Sequence, residues 1–336
     1  VSASKADAVV ATPTRPPRKA VPPTGTRRAD KPLRKPLGIV KLVTPYLLVA
    51  PAILGIAFLL FYPMVRNILL SFQHYRFRQL ISRSADYVGW ENYQETLKDP
   101  EFWEVTRRTF YFTAVNVVAI MVISTLCALM LTKLGKSMRI LVLIGLVAAW
   151  ATPVIAATTI FKWLFRSDNG VVNWALVELG FDSFKNYAWF ADGFSTLTVV
   201  TLLIVWQSIP FATLTIYAGL TTMSTDVYES ARLDGAGPVR IFRSITFPIL
   251  RPIFGLVTSL EVIWIFKSFA QIWAIAGDNG PMSEIRTLPM YAYQTGMSLK
   301  KFDMAGAIST LTVLMLAVML VFYFRQMFKQ ERESEK

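Results

Sequence analysis

The chain has 336 residues, of which 54% are hydrophobic and only 17% charged, a balance too apolar for a soluble domain and expected of an integral membrane protein. Its 35 Lys and Arg against 22 Asp and Glu leave a formal charge of +13, and the single cysteine, Cys127, excludes an intrachain disulfide. In a soluble protein that basic excess would suggest nucleic acid; here its distribution around the apolar runs decides its meaning.

Residues 1–43 are rich in Pro, Ala, Lys and Arg and hold too little apolar surface to offset the entropy of ordering them, so a disordered basic cytoplasmic arm is expected. The arm's charge sets topology, with contact to anionic lipid as the alternative role. The first apolar run starts too late for a signal peptide, which makes it a retained anchor. Six runs, near 44–64, 110–131, 140–161, 194–216, 251–276 and 305–325, have the length of about 20 residues that crosses roughly 30 Å of hydrocarbon. Helices satisfy their own backbone polar groups in lipid, so the expected fold class is all-α, a polytopic membrane protein with six transmembrane helices. With the amino terminus inside, the cytoplasmic pieces, including the tail 326–336 and the boundary residue Arg325, carry 21 basic and 8 acidic residues. The outer loops carry 13 of each, so the positive-inside rule puts both termini in the cytoplasm of a multi-pass plasma-membrane protein.

Between the fourth and fifth runs, Ser224–Pro248 is too patterned for a plain connection. Ser224, Thr225 and Asp226 can cap a first short helix, Gly235 suits a left-handed stop, Pro238 opens a second helix and Pro248 ends it. Val239, Phe242 and Ile245 recur every three residues, which predicts a packed face with Arg240 and Arg243 turned elsewhere. Such a rigid knuckle suits the transfer of force from a soluble partner.

Within that segment Glu229, Ala231, Asp234, Gly235, Ala236, Ile245 and Pro248 resemble, at matching spacing, the EAA signature of ABC importer permeases; Ser230 and Phe247 replace its Ala and Leu. Over roughly 44–325 the chain is similar to the sugar-uptake branch, in the MalF/UgpA-like position. Pro45–Pro51 with Phe61-Tyr62-Pro63, Gly89–Tyr93 with Asp99–Trp103, and Phe266–Phe269 with Gly280-Pro281 carry that likeness. Ala270 stands where Asp is common, and Gly277–Pro281 departs from the usual glycine-rich run. The resemblance implies a type I importer with a MetI-like fold and a second, MalG/UgpE-like permease forming a heterodimer. It also implies a cytoplasmic ATPase dimer that binds ATP and Mg, and an extracytoplasmic solute-binding protein that delivers sugar. This chain is then a non-catalytic subunit with no cofactor or metal of its own and no nucleic-acid partner. Gly135-Lys136-Ser137 is no phosphate loop, because Met130 stands where the motif needs its first glycine. On the resemblance, Glu229, Ser230, Ala231, Asp234, Gly235 and Ala236 couple the permease to the ATPase, a solvated loop being the plain alternative.

In the fifth run, Glu261, Trp264, Lys267, Ser268 and Gln271 fall within one arc of about 120° on a continuous helix. Charge at mid-membrane costs about 2.5–3.5 kcal/mol, so this arc is expected to face the bundle interior or an aqueous cavity, as a sugar path or as an interhelical network. Trp206, Gln207, Thr158 and Thr159 are further candidates for the path. The outer segment 87–108 interleaves aromatics with acidic residues and suits either the binding protein or the membrane interface, and His74 is expected in solvent. Opposed by Glu261, Lys267 favours a neutral sugar over glycerol-3-phosphate, with an α-linked disaccharide such as maltose or trehalose as the expected cargo. An ion-coupled secondary transporter would show inverted repeats, and none is visible.

Overall fold

The computed structural model describes residues 38–82, 84–276 and 281–334. Residues 1–37 of the expected basic arm, and Gly277–Gly280 of the departing loop, lie outside the described residues. The structure divides into two units, one ending at Ala57 and one spanning Phe58–Lys336. Helix starts at Gly38, inside the stretch assigned to the arm. The first span, α1 (Val43–Leu70), contains a π turn at Ala57–Phe61, downstream of Pro45 and Pro51.

After α1 a short antiparallel hairpin, β1 (Gln73–His74) with β2 (Asp86–Tyr87), encloses α2 (Phe77–Ser82). Then come α3 (Glu91–Lys98) and the second span α4 (Pro100–Lys133). Pro100 sits at the first turn of α4, and the Asp99 carboxylate accepts from the Glu101 N–H at 2.9 Å, so the start of this helix is written locally.

The third span is a bent pair, which corrects the expectation of one straight helix over 140–161. Helix α5 (Lys136–Trp150) and α6 (Val154–Leu164) meet at 99° across Ala151-Thr152-Pro153. Pro153 pushes the residue before it out of helical geometry and ends the run there. A short outer helix, α7 (Val171–Glu178), leads to the fourth span, α8 (Gly193–Thr221). Asp192 caps α8, accepting from the Ser195 N–H at 2.9 Å and the Ser195 hydroxyl at 2.6 Å. These bonds hold the Asp192 carboxyl below the usual carboxylate range. Glu284 also receives the Gly193 N–H at 2.7 Å, and a Cβ at Gly193 would lie 2.4 Å from that of Glu284, so this close approach needs glycine.

The elbow follows: α9 (Thr225–Leu233) and α10 (Pro238–Ile249), the latter turning by 76° into α11 (Arg251–Phe266). Helix runs one residue past Pro248, with a π turn at Phe242–Thr246 absorbing its missing N–H. Contrary to the three-residue reading, Val239 is exposed, while Ile241 and Thr246 are the buried residues of α10. Phe242 and Ile245 are half-buried and Arg240 and Arg243 are exposed, so the packed face departs from the spacing only at Val239, which stands before the helix meets its neighbours. The fifth span is likewise not continuous: α11 ends at Phe266 and α12 (Ala270–Ala276) restarts after Lys267-Ser268-Phe269. Two short helices, α13 (Met282–Ile285) and α14 (Leu288–Tyr293), precede the last span, α15 (Phe302–Ser334), which continues as helix through most of the expected tail.

Four helices are long and apolar enough to cross a membrane, and counting each bent pair, α5 with α6 and α10 with α11, as one span gives up to six among the described residues. The core gathers where α4, α8, α11 and α12 pack, around Phe112, Ile120, Val199, Leu203, Val257 and Ile272. Buried Thr106, Thr109 and Thr113 on α4 return their hydroxyls to carbonyls four residues back at 2.7–2.8 Å, the local solution open to a polar side chain in an apolar interior. Opposite the elbow, Arg286 pairs with Glu101, and the Tyr291 hydroxyl donates to Asp99 at 2.7 Å. Burial first, and this bond second, raise the Tyr291 hydroxyl above its ordinary titration range. Asp99 and Glu101, expected as part of a docking segment, are thus spent partly on holding α4 against α13 and α14. His74 is not free in solvent: it is 37% exposed and its Nδ1 lies 3.6 Å from fully buried Asp303, which also meets Arg76 at 3.4 Å.

Candidate functional site

Two places gather the sequence-predicted residues. The first is the elbow. After α9 the backbone closes in the Schellman pattern: the Ala236 N–H reaches the Ala231 carbonyl at 2.9 Å, the Gly235 N–H reaches Arg232 at 3.0 Å, and Gly235 takes φ +75°. A Cβ at Gly235 would meet nothing within 4 Å, so conformation rather than crowding requires glycine here. Ser224 has the extended geometry of a cap but its side chain makes no capping bond. The Tyr228 hydroxyl lies 3.2 Å from the Thr246 hydroxyl, joining α9 to α10. Glu229, Ser230, Asp234 and Gly235 are exposed, Ala236 is half-buried, and Ala231 is buried as the inward foot of the turn. Leu233 and Val239 are 89% and 78% exposed at the tip, apolar surface with no neighbour to cover it among the described residues.

The second place is the break after α11. Trp264, 40% exposed, meets Phe211 of α8 edge-to-face at 5.0 Å, and Phe211 stacks on Trp150 of α5 at 6.4 Å. Trp206 lies against Phe161 of α6 at 5.9 Å. Beside these rings the Ser268 hydroxyl donates to Gln271 at 3.1 Å, and the Gln271 amide reaches Gln207 of α8 at 3.5 Å. The result is an aromatic and amide wall shared by the third, fourth and fifth spans, with the chemistry to stack on a sugar ring and exchange hydrogen bonds with its substituents.

The interruption at 267–269 divides the five residues expected on one arc. Trp264, Ser268 and Gln271 join this wall, whereas Lys267 lines a separate cavity of about 450 Å³ with Asn67, Tyr293 and Ser309. Glu261 is fully buried, with the Ser208 side chain of α8 as its polar neighbour. Thr158 and Thr159 return their hydroxyls to their own helix, at Ile155, at 2.8 and 2.9 Å. Sequence reasoning missed Phe211, Phe161 and Trp150; each is an ordinary aromatic in an apolar run, and only the packing of α5, α6 and α8 brings them together.

Residues 91–332 match the family model described as "Binding-protein-dependent transport system inner membrane component". The diacetylchitobiose uptake system permease protein DasB of Streptomyces coelicolor is 46% identical over 292 residues, covering 87% of this chain and 89% of the relative. The sulfoquinovosyl glycerol transport system permease protein SmoG of Agrobacterium fabrum is 34% identical over 272 residues, 81% of this chain and 85% of the relative. Among solved structures, a chain of a bacterial ABC transporter that imports the acidic polysaccharide alginate superposes with TM-score 0.75 at 16% identity, over 87% of this chain and 97% of that one, a likeness of fold.

Proposed function

We propose how sugar passes through this chain, which belongs to the family of binding-protein-dependent transport system inner membrane components. It is a multi-pass permease subunit of a sugar ABC importer, non-catalytic itself, and works with a second permease, an ATPase and a solute-binding protein. In our reading both termini and the elbow face the cytoplasm, in keeping with the basic excess on that side. The elbow is the lever. Its uncovered Leu233 and Val239 and its exposed carboxylates Glu229 and Asp234 meet the ATPase, Ser230 and Ala236 complete the contact, and Ala231 and Gly235 fix the turn's shape. ATPase closure then moves α9 and α10 as one body and, through the turn at Leu250, shifts α11.

The cargo we assign is a disaccharide of N-acetylated amino sugar, of the kind named for DasB. The observation that carries this is the wall of Trp264, Phe211, Gln207 and Gln271: flat rings for the sugar faces beside amides that pair with acetamido groups and hydroxyls. Glu261, one turn before Trp264, supplies two acceptors that open to the path when α11 moves; Lys267 stays outside it. The test is uptake by the purified assembly in proteoliposomes, with its binding protein, against diacetylchitobiose, cellobiose, maltose, trehalose and glycerol-3-phosphate. ATP-dependent accumulation of diacetylchitobiose above the others is expected; preference for maltose or trehalose would return the cargo to an α-linked disaccharide, and preference for glycerol-3-phosphate would overturn a sugar site.

A further inference from the structure

Behind the elbow lies a cavity of about 720 Å³, bounded by the last turn of α4, the first turn of α5, the end of α8, and α9 with α10. Its lining is divided by chemistry. Leu129, Leu220, Met223 and Ile241 supply an apolar floor, while Lys133, Arg139 and Arg232 supply three cations, opposed in the lining by Glu229 alone. None of the three cations has an ion-pair partner among the described residues. Arg139 is held rigid: its Nε and Nη2 donate to the Leu131 and Leu134 carbonyls at 3.1 and 2.8 Å, bridging the turn between α4 and α5. A fixed guanidinium with two further cations against one carboxylate leaves the lining net positive, the charge that suits an anion.

We propose that this cavity binds the phosphoryl group of an anionic phospholipid, with Lys133 and Arg232 donating to its oxygens and the glycerol end of the acyl chains lying over Leu129 and Leu220. Two observations favour a lipid over an acidic segment of a partner protein. Leu129 and Leu220 of the apolar floor belong to the last turns of two membrane-length helices, α4 and α8, and Lys133 follows Leu129 by one turn, the order in which a phospholipid presents acyl chain and phosphate. The uncovered apolar tip of the elbow, Leu233 and Val239, is no part of the lining, so of the surface assigned to the ATPase only Glu229 and Ala236 border the cavity, and its α4 and α5 side lies outside that contact. The lipid then acts as a wedge between elbow and bilayer. Only the naming of this face as cytoplasmic rests on the proposed orientation.

Native mass spectrometry of the complete transporter assembly, exchanged into an equimolar mixture of phosphatidylglycerol and phosphatidylcholine, tests this without measuring transport. The unmodified assembly is expected to retain phosphatidylglycerol in preference to phosphatidylcholine. The double variant Lys133→Gln, Arg232→Gln is expected to lose about tenfold or more of the retained anionic lipid, from two removed contacts. Lys133→Arg keeps it. Should the double variant not assemble, Lys133→Gln alone, on an exposed last turn, replaces it. Equal retention by variant and parent, or no preference in the parent, overturns the site. Excess inorganic phosphate separates the sources: a phosphate adduct that depends on Lys133 while phosphatidylglycerol is not retained overturns the lipid assignment, and a crosslink from position 133 into the ATPase overturns it in favour of a protein partner. Retention is read without sugar or ATP, so it fails or succeeds independently of the cargo and of the coupling role.

Discussion

Replacing Gly235 by proline separates force transfer from folding. The native turn needs φ +75° at this position and an N–H donated to Arg232 at 3.0 Å. Proline locks φ near −65° and has no N–H, so the turn cannot close. For an ordinary L-residue the left-handed conformation alone costs about 1–2 kcal/mol, and the lost hydrogen bond adds about 0.5–1.5 kcal/mol. For proline, whose ring excludes φ +75° altogether, their sum of about 1.5–3.5 kcal/mol is a lower bound, a loss of at least ten- to several-hundred-fold in the elbow's population. Alanine bears only the conformational cost, because a Cβ there meets nothing within 4 Å, so Gly235→Ala should reduce the population about five- to thirtyfold and Gly235→Asn less. The exposed elbow contributes little to the core, so all three variants should insert and assemble. Uptake into ATP-loaded proteoliposomes is then expected to fall in the order Asn, Ala, Pro, while substrate-independent ATP hydrolysis persists. Wild-type uptake by Gly235→Pro, with assembly verified, would refute the lever.

At the sugar wall, Trp264→Ala removes the ring that meets Phe211 edge-to-face and should raise the KM for uptake about tenfold with ATP hydrolysis intact, as measured by radiolabelled sugar uptake. Gln271→Ala breaks contacts to both Ser268 and Gln207 and should act in the same direction but more weakly. Tyr291→Phe deletes the bond to Asp99 and should cost about 1–2 kcal/mol in a thermal unfolding assay, leaving sugar selectivity unchanged. The Asp192 carboxyl is lowered in the folded protein, by the Ser195 hydroxyl first and the Ser195 N–H next, so its cap is fully stabilising above the unfolded carboxylate range and is lost as pH falls through the lowered value. A melting-temperature series in acid should therefore show a step that Asp192→Ala lacks; identical pH profiles would remove Asp192 from that role.

What the sequence by itself determined is what lies within a few residues of chain. Apolar runs long enough for the bilayer mark all six spans, because the cost of an unsatisfied backbone in lipid leaves helix as the only spanning form for an isolated run. The elbow's turn was legible for the same reason: Gly235 and Pro238 act through their own backbone angles. Tertiary structure decided where those helices stop and which side chains meet. The break after Phe266 sends Lys267 toward α14 and α15 while Gln271 turns to Gln207, so an arc drawn on one unbroken helix joins residues with different neighbours. Phe211, Phe161 and Trp150 carry no local mark at all, since an aromatic in an apolar run reads as membrane until a neighbouring helix crosses it. Val239 went the same way: it stands on the first turn of α10, at the exposed tip, and no period in the chain says where along a helix its packing begins.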